Sequence, residues 1–354
     1  MDERLRVLVV DDSALFRHAI SRIIESTPRF KVVATAVNGQ EAVAKAAEFR
    51  PDLITLDVQM PGMDGLAALT AIMEHSPTRV LMVSSLTTRG ARVTIQALCL
   101  GALDFVTKSG NQGSQLETQL LAKLDAVMQA GVPGYRRAVP RDRPQRAPTG
   151  PPASGLIVIG ASTGGPAALD EVLGRLDPGL PAAVLVIQHM PPGFTASLAD
   201  RLDGSCPLPV REAGPSNQLR MGTVLLAAGG AHLVVTRRGE SAVVDGPSRH
   251  GVRPSVDVTL ESAVRHYGAR LITVILTGMG CDGTAGSRQV REAGGRVIAQ
   301  DEATSTVYGM PAAVTRAGLA NLVLPISQIG RAASRMGGEF GGEYQTGGAA
   351  ARSR

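Results

Sequence analysis

Two trains of short, continuous apolar runs set the tightest limit on what this chain can fold into. The first train reads RVLVV (6–10), KVVATA (31–36), DLITLD (52–57), RVLMVS (79–84) and DFVTK (104–108). The second reads GLIVIG (155–160), AVLVIQ (183–188) and LITVIL (271–276). Helix-period segments separate the runs within each train. Unbroken apolar strands alternating with amphipathic helices specify a parallel sheet covered on both faces, so the expected fold class is α/β with two doubly wound domains. The length of 354 residues agrees, since one domain holds ~100 to 200 residues. In such sheets the working residues collect at the carboxyl ends of the strands.

The stretch between the trains, GVPGYRRAVPRDRPQRAPTGPPAS (131–154), holds six prolines and five arginines against one aspartate, and lacks apolar periodicity. It is expected to be a solvated linker. It also carries most of the net charge of +5, so the folded parts are nearly neutral and a nucleic-acid partner is not expected. The Gly-rich end, 336–354, is expected to be disordered. Cys99, Cys206 and Cys281 are too few and too scattered for a disulfide framework or a zinc knuckle. No apolar run reaches the ~18 residues of a membrane helix, and the start MDERLRVLVVDD lacks a signal-peptide layout. The expected location is cytoplasmic, without membrane insertion.

At the strand ends of the first train stand Asp11 and Asp12, Asp57, Ser84 and Lys108. Carboxylates gathered on one edge repel each other, and Mg2+, which takes a few oxygens plus water and a phosphoryl group, relieves that repulsion. Asp57 is then a candidate nucleophile toward a phosphodonor, with Lys108 and Ser84 neutralising phosphoryl oxygens. The plainer alternative is that these residues only cap strand ends and helix starts.

In the second train, VIGASTGGPAALD (158–170) sets Ser162 in a Gly-x-Ser-x-Gly turn after a strand, His189 follows the next strand, and Asp282 lies in the loop TGMGCDGTAG. Successive parallel strands bring such residues to one edge. Ser162 reads as a nucleophile, His189 as its base and Asp282 as the group that orients the imidazole. Backbone amides of the GMG segment are candidate oxyanion donors. Rival readings are a structural turn, a phosphate loop, which lacks the lysine such loops carry, Cys281 as nucleophile, and a zinc site from His189, Asp282 and His232.

The segments VLVVDDSALFRHAI, DVQMPGMDGL, LMVSSLT and GALDFVTK resemble a flavodoxin-like receiver domain of two-component signalling over 1–130. IGASTGG, VIQHMPPGFTASLADRL, GVRPSVDVTLESA, ILTGMGCDGTAG and VIAQDEATSTVYGMPAAV resemble the chemotaxis protein-glutamate methylesterases over 155–335. The resemblance implies Asp57 as phosphoacceptor and Mg2+ on Asp11, Asp12, Asp57 and the Val58 carbonyl. It further implies Ser84, Lys108 and Phe105 as the phospho-switch, with Ser109 standing where a proline usually follows the lysine. It implies a Ser162, His189, Asp282 triad with Met279 as oxyanion donor, Thr163 placing His189, and no cofactor in the esterase domain. The implied partners are a histidine kinase and the cytoplasmic helices of chemoreceptors, whose glutamyl methyl esters are hydrolysed and certain glutamines deamidated. A catalytically idle docking module, or the same chemistry outside motility, are the alternatives.

Overall fold

The computed structural model describes residues 4–108, 113–131 and 150–341. The chain divides into two units, Met1–Ala138 and Val139–Arg354. In the first, each apolar run becomes a strand and each periodic segment a helix. These are β1 (Leu5–Val10), α1 (Ala14–Glu25), β2 (Phe30–Ala36), α2 (Gly39–Phe49), β3 (Leu53–Asp57), α3 (Gly65–His75), β4 (Arg79–Ser84), α4 (Thr88–Leu100), β5 (Asp104–Thr107) and α5 (Gly113–Gln129). The strands order as β2-β1-β3-β4-β5, all parallel. That is the flavodoxin-like order, with its switch point between β1 and β3. Val7, Val9, Leu53 and Leu81 bury against Ile20, Ile24, Leu120 and Leu124 from the helices. Turn chemistry fixes where the helices begin: Asp64 accepts from Ala67 N at 2.9 Å to start α3, and Thr87 accepts from Gly90 N at 3.0 Å to start α4.

The second unit is built from β6 (Gly155–Ala161), α6 (Gly165–Leu173), β7 (Ala182–Gln188), α7 (Thr195–Ser205), β8 (Val210–Glu212), β9 (Ser216–Gln218), β10 (Val224–Leu226), β11 (His232–Val235) and β12 (Glu240–Val244). It continues with α8 (Val256–Tyr267), β13 (Leu271–Ile275), α9 (Thr284–Glu292), β14 (Arg296–Gln300), α10 (Met310–Arg316), β15 (Leu322–Leu324) and α11 (Ile326–Gly338). Seven strands form one parallel sheet in the order β15-β14-β13-β6-β7-β10-β8. The chain leaves β6 in one direction through β7 and β10, then returns to its other side through β13. The switch point therefore falls at the carboxyl end of β6, where ligands of open α/β sheets bind. β6 and β7 are buried along their whole length, which is why both read as unbroken apolar runs.

Three features differ from the sequence expectation. A separate antiparallel sheet, β11-β12-β9, was not anticipated. Its strands are three to five residues long and include SNQ and ESAVV, too short and too polar to stand out by period. The expected linker 131–154 is shorter at its far end: Ala153 N donates to Leu219 O at 2.9 Å and Ser154 Oγ to Pro181 O at 2.9 Å, so this end is bonded into the second unit. Residues 132–149 of that stretch lie outside the described residues. The tail expected disordered from 336 instead continues α11 to Gly338 and a helical turn at Glu339–Gly341. Phe340 explains this, because its ring lies where a side chain on Gly155 would stand, and Glu339 pairs with Arg296. Residues 342–354 lie outside the described residues.

Candidate active sites

In the first unit, Asp57 ends β3 and Ser84 ends β4, while Asp11 and Lys108 are the first residues after β1 and β5. Parallel register makes these ends neighbours: Asp57 pairs with Val83, Ser84 with Thr107, and Lys108 N donates to Ser84 O at 2.7 Å. The Lys108 ammonium lies 2.7 Å from Asp11 Oδ2 and 2.9 Å from Asp57 Oδ2. Asp11 and Asp57 are buried and Asp12 exposed, with one oxygen of each within 4.8 Å of the others. Burial raises the Asp57 carboxyl above its ordinary range, and the Asp11 charge adds to this, while Lys108 pulls it down. One lysine thus balances three carboxylates only in part.

Asp11 Oδ2 is buried without an aligned hydrogen bond, although the Lys108 charge faces it. A buried carboxylate oxygen held only by the Lys108 charge, beside two further carboxylates, is a donor set that suits a hard divalent cation. The Val58 carbonyl accepts from Gly65 N at 3.2 Å and keeps a second lone pair. Gly65 is required there, because a Cβ would stand 2.0 Å from the Asp57 carbonyl oxygen. Ser84 Oγ accepts from Thr94 Oγ1 at 2.8 Å. Phe105 is buried within β5, its ring 5.1 Å from the Lys123 ammonium, so it does not join the carboxylates. Ser109 lies outside the described residues.

In the second unit, the β6–β7 ladder ends with Ala161 opposite Gln188 and His189 N donating to Ala161 O at 3.0 Å. Ser162 and His189 are the next residues out on adjacent strands. On the other side Ser162 N donates to Thr277 O at 3.0 Å, which ties it to the chain leaving β13. Gly278 passes so close that a Cβ there would stand 2.6 Å from Ser162 Cβ. The turn after Ser162 needs Gly164, whose φ is +76° and which opens α6.

Asp282, in the loop after β13, meets His189 with Oδ2 2.8 Å from Nε2. Its carboxylate lies at the start of α8. Oδ1 accepts from Ser255 Oγ, Asp257 N and Gly283 N, at 2.8, 3.0 and 3.0 Å, and Oδ2 also accepts from Val256 N at 2.7 Å. Burial on its own would raise this carboxyl. The hydrogen bond and charge of His189, with the Asp257 and Val256 amides, outweigh it and hold the group at about 2. Because the carboxylate takes Nε2, Nδ1 is the nitrogen left for a proton transfer. Ser162 Oγ makes no hydrogen bond to the ring; in free enzymes such contacts often close only when substrate arrives.

The Thr163 carbonyl accepts from Thr277 Oγ1 at 2.9 Å, and Met279 sits half-exposed in the loop that leads to Asp282. Cys281 is exposed beside Asp282. His232 is buried with Nε2 on the Pro247 carbonyl at 3.0 Å, apart from His189, so the zinc grouping does not assemble.

Four residues that the sequence reading did not single out shape this site. Ser255 and Asp257 belong to the α8 start. Asp257 is raised by burial and by the Asp282 charge, and its Oδ2 lies 3.0 Å from His250 Nε2. Gln300 Oε1 accepts from Thr277 N at 2.8 Å and steadies the loop beside Ser162. Gln188 Nε2 reaches the carbonyls of both Ser162 and His189. A serine before an apolar helical period marks the α8 start in sequence, but no spacing announces that this start points at Asp282.

A family model described as CheB methylesterase matches residues 157–333, and a response regulator receiver domain model matches 7–120. The protein-glutamate methylesterase/protein-glutamine glutaminase of Symbiobacterium thermophilum is 47% identical over 354 residues, spanning 95% of this chain and 98% of that one. Its namesake from Thermotoga maritima is 45% identical over 337 residues, spanning 93% and 97%. The crystal structure of the Thermotoga maritima CheB methylesterase catalytic domain superposes with a TM-score of 0.50 at 42% identity, covering 52% of this chain and 98% of that one.

Proposed function

Because the chain belongs to the CheB methylesterase family, we propose that it is a receiver-controlled hydrolase of glutamyl methyl esters on the cytoplasmic helices of chemoreceptors. The observation that carries this reading is the hydrogen bond between His189 and Asp282 at the same sheet edge as Ser162. Ser162 Oγ attacks the γ-carbonyl carbon, and His189 Nδ1 takes its proton. Asp282, held ionised, stabilises the imidazolium. The Met279 amide receives the oxyanion, and Thr163 helps set the His189 ring. His189 returns the proton to methoxide, methanol leaves, and water activated by the same imidazole splits the acyl ester to release the glutamate carboxylate. A receptor glutamine follows the same course with ammonia as leaving group, which matches the second activity in the relatives' names.

In the receiver, Asp57 accepts a phosphoryl group from a histidine kinase. Asp11, Asp12, Asp57 and the Val58 carbonyl would hold Mg2+, which neutralises phosphoryl charge when bound. Ser84 and Lys108 then turn toward the phosphoryl oxygens, and Phe105 is the aromatic that reports the change. Lys108 must leave its contact with Asp11 to serve there, so phosphorylation and the present ion pairs compete. The protein works in the cytoplasm, and among the described residues no helix is long and apolar enough to cross a membrane.

The test is methanol release from a methylated receptor fragment, with and without a small phosphodonor. Methanol is expected in both, faster with the phosphodonor, and Asp57→Asn is expected to remove the acceleration alone. Receptor binding without methanol would identify a docking module instead.

A further inference from the structure

AVLVIQ, the run that forms most of β7, ends on a polar residue inside an otherwise apolar strand. That residue, Gln188, is 2% exposed. A buried amide at such a place demands an account of where its donors and acceptor go. Nε2 donates both protons, one to Ser162 O at 2.9 Å and one to His189 O at 3.1 Å. Oε1 has no partner and is buried. It faces Gly165, where a Cβ would stand 1.9 Å away, so the amide is wedged with its acceptor against bare backbone. Its orientation is unambiguous, because the reversed amide would aim Oε1 at two carbonyls.

This arrangement is a poor device for stability. The unpaired Oε1 offsets part of what the two Nε2 bonds contribute, and a methionine of similar length would fill the space while moving the unpaired acceptor to the His189 carbonyl, so stability alone does not account for the amide. What the amide supplies is a link the backbone cannot make. The main-chain ladder between β6 and β7 stops at the bond from His189 N to Ala161 O. Beyond it, the Gln188 amide is the bridge between the Ser162 and His189 carbonyls.

We propose that Gln188 is a positioning residue: its amide is a side-chain rung that extends the β6–β7 ladder by one step and sets the separation of Ser162 and His189. The proposal rests on Ser162 and His189 being nucleophile and base. It also accounts for Gly165, the second glycine of STGG: its missing side chain is the space Oε1 occupies. A displacement of about 1 Å between reacting groups is enough to lower a rate ~100-fold.

The experiment compares the full chain with its Gln188→Met and Gly165→Ala variants. The first removes both donors. The second keeps the glutamine but pushes its Oε1 aside. Each is measured for labelling of Ser162 by a serine-directed phosphonate, for kcat and KM on methylated receptor, and for melting temperature. In both variants the labelling rate and kcat are expected to fall ~10 to 100-fold with KM within twofold of the parent. Because Gln188→Met exchanges the unpaired Oε1 for an unpaired His189 carbonyl, it is expected to melt close to the parent. Labelling and kcat within twofold of the parent in both variants would overturn the proposal. So would a loss of rate in Gln188→Met that tracks an equal loss of melting temperature. A parent chain that is not labelled at Ser162 would overturn the nucleophile assignment itself, and this proposal with it.

Discussion

Replacing Ser162 by alanine is expected to lower methyl-ester hydrolysis ~10⁴-fold or more and to leave the melting temperature unchanged. Both halves follow from the same geometry. The substitution removes only Oγ, which is the attacking atom in the proposed mechanism and which makes no hydrogen bond among the described residues. The backbone bonds of Ser162, from its N to Thr277 O and to its O from Gly165 N, remain intact. Its Cβ still fills the contact with Gly278. Deleting one unbonded hydroxyl from this half-buried position is expected to change stability by no more than about 0.5 kcal/mol. Residual hydrolysis comes from oxyanion donors and binding, which the variant keeps. Methanol release and a thermal melt on the same preparation check both halves. Hydrolysis within tenfold of the parent would remove Ser162 from the chemistry.

Asp282→Asn is expected to behave differently, losing both activity and stability. Activity should fall ~10⁴-fold, because an amide cannot hold the His189 ring in the required tautomer or stabilise its charge. Stability falls because every contact of Asp282 is a donor. Oδ1 accepts from Ser255, Asp257 and Gly283, and Oδ2 from Val256 and His189. Whichever oxygen becomes NH2, a donor is set against donors inside the protein. Each one left unpaired costs on the order of 1–3 kcal/mol.

The pH dependence has a definite sign. The Asp282 carboxyl sits at about 2 in the folded chain against an ordinary 3.8, so the folded state binds its proton later than the unfolded state. The resulting stabilisation, about 2 kcal/mol, is present above pH ~4 and is lost as pH falls toward 2. Denaturant melts of parent and variant should therefore converge below pH 4. A gap that stays constant from pH 7 to pH 2 would show that the carboxylate charge contributes nothing. Since Asp282 remains ionised down to about 2, its own protonation does not account for a loss of activity at higher pH.

How much of this was legible in the chain depends on whether backbone register alone carries the information. Asp57, Ser84 and Lys108 stand at the ends of unbroken apolar strands, and parallel pairing then places them together without further input. The same reasoning brought Ser162 and His189 side by side, because their strands are sequential and adjacent. Asp282 required one more step, the return of the chain through β13 to the other side of β6. Contacts made through side chains across distant segments were not legible. Nothing in GVRPSVDVTLESA states that the α8 start grips Asp282, and nothing in AVLVIQ sets Gln188 apart from any polar residue at a strand end. The short strands β9, β11 and β12 escaped because three to five residues of mixed polarity carry no reliable period. The fold of Gly338–Gly341 escaped because glycine-rich composition hid the packing of Phe340 over Gly155.

The central claim is that Ser162 is the nucleophile, activated by His189 and Asp282 at the switch point of the second sheet. The most direct measurement is to treat the full chain with a serine-directed phosphonate and locate the adduct by peptide mass spectrometry. A single adduct on Ser162 is expected, absent in Ser162→Ala and formed far more slowly in Asp282→Asn. An adduct on the exposed Cys281 instead, or labelling of Ser162 that is indifferent to the loss of Asp282, would contradict it.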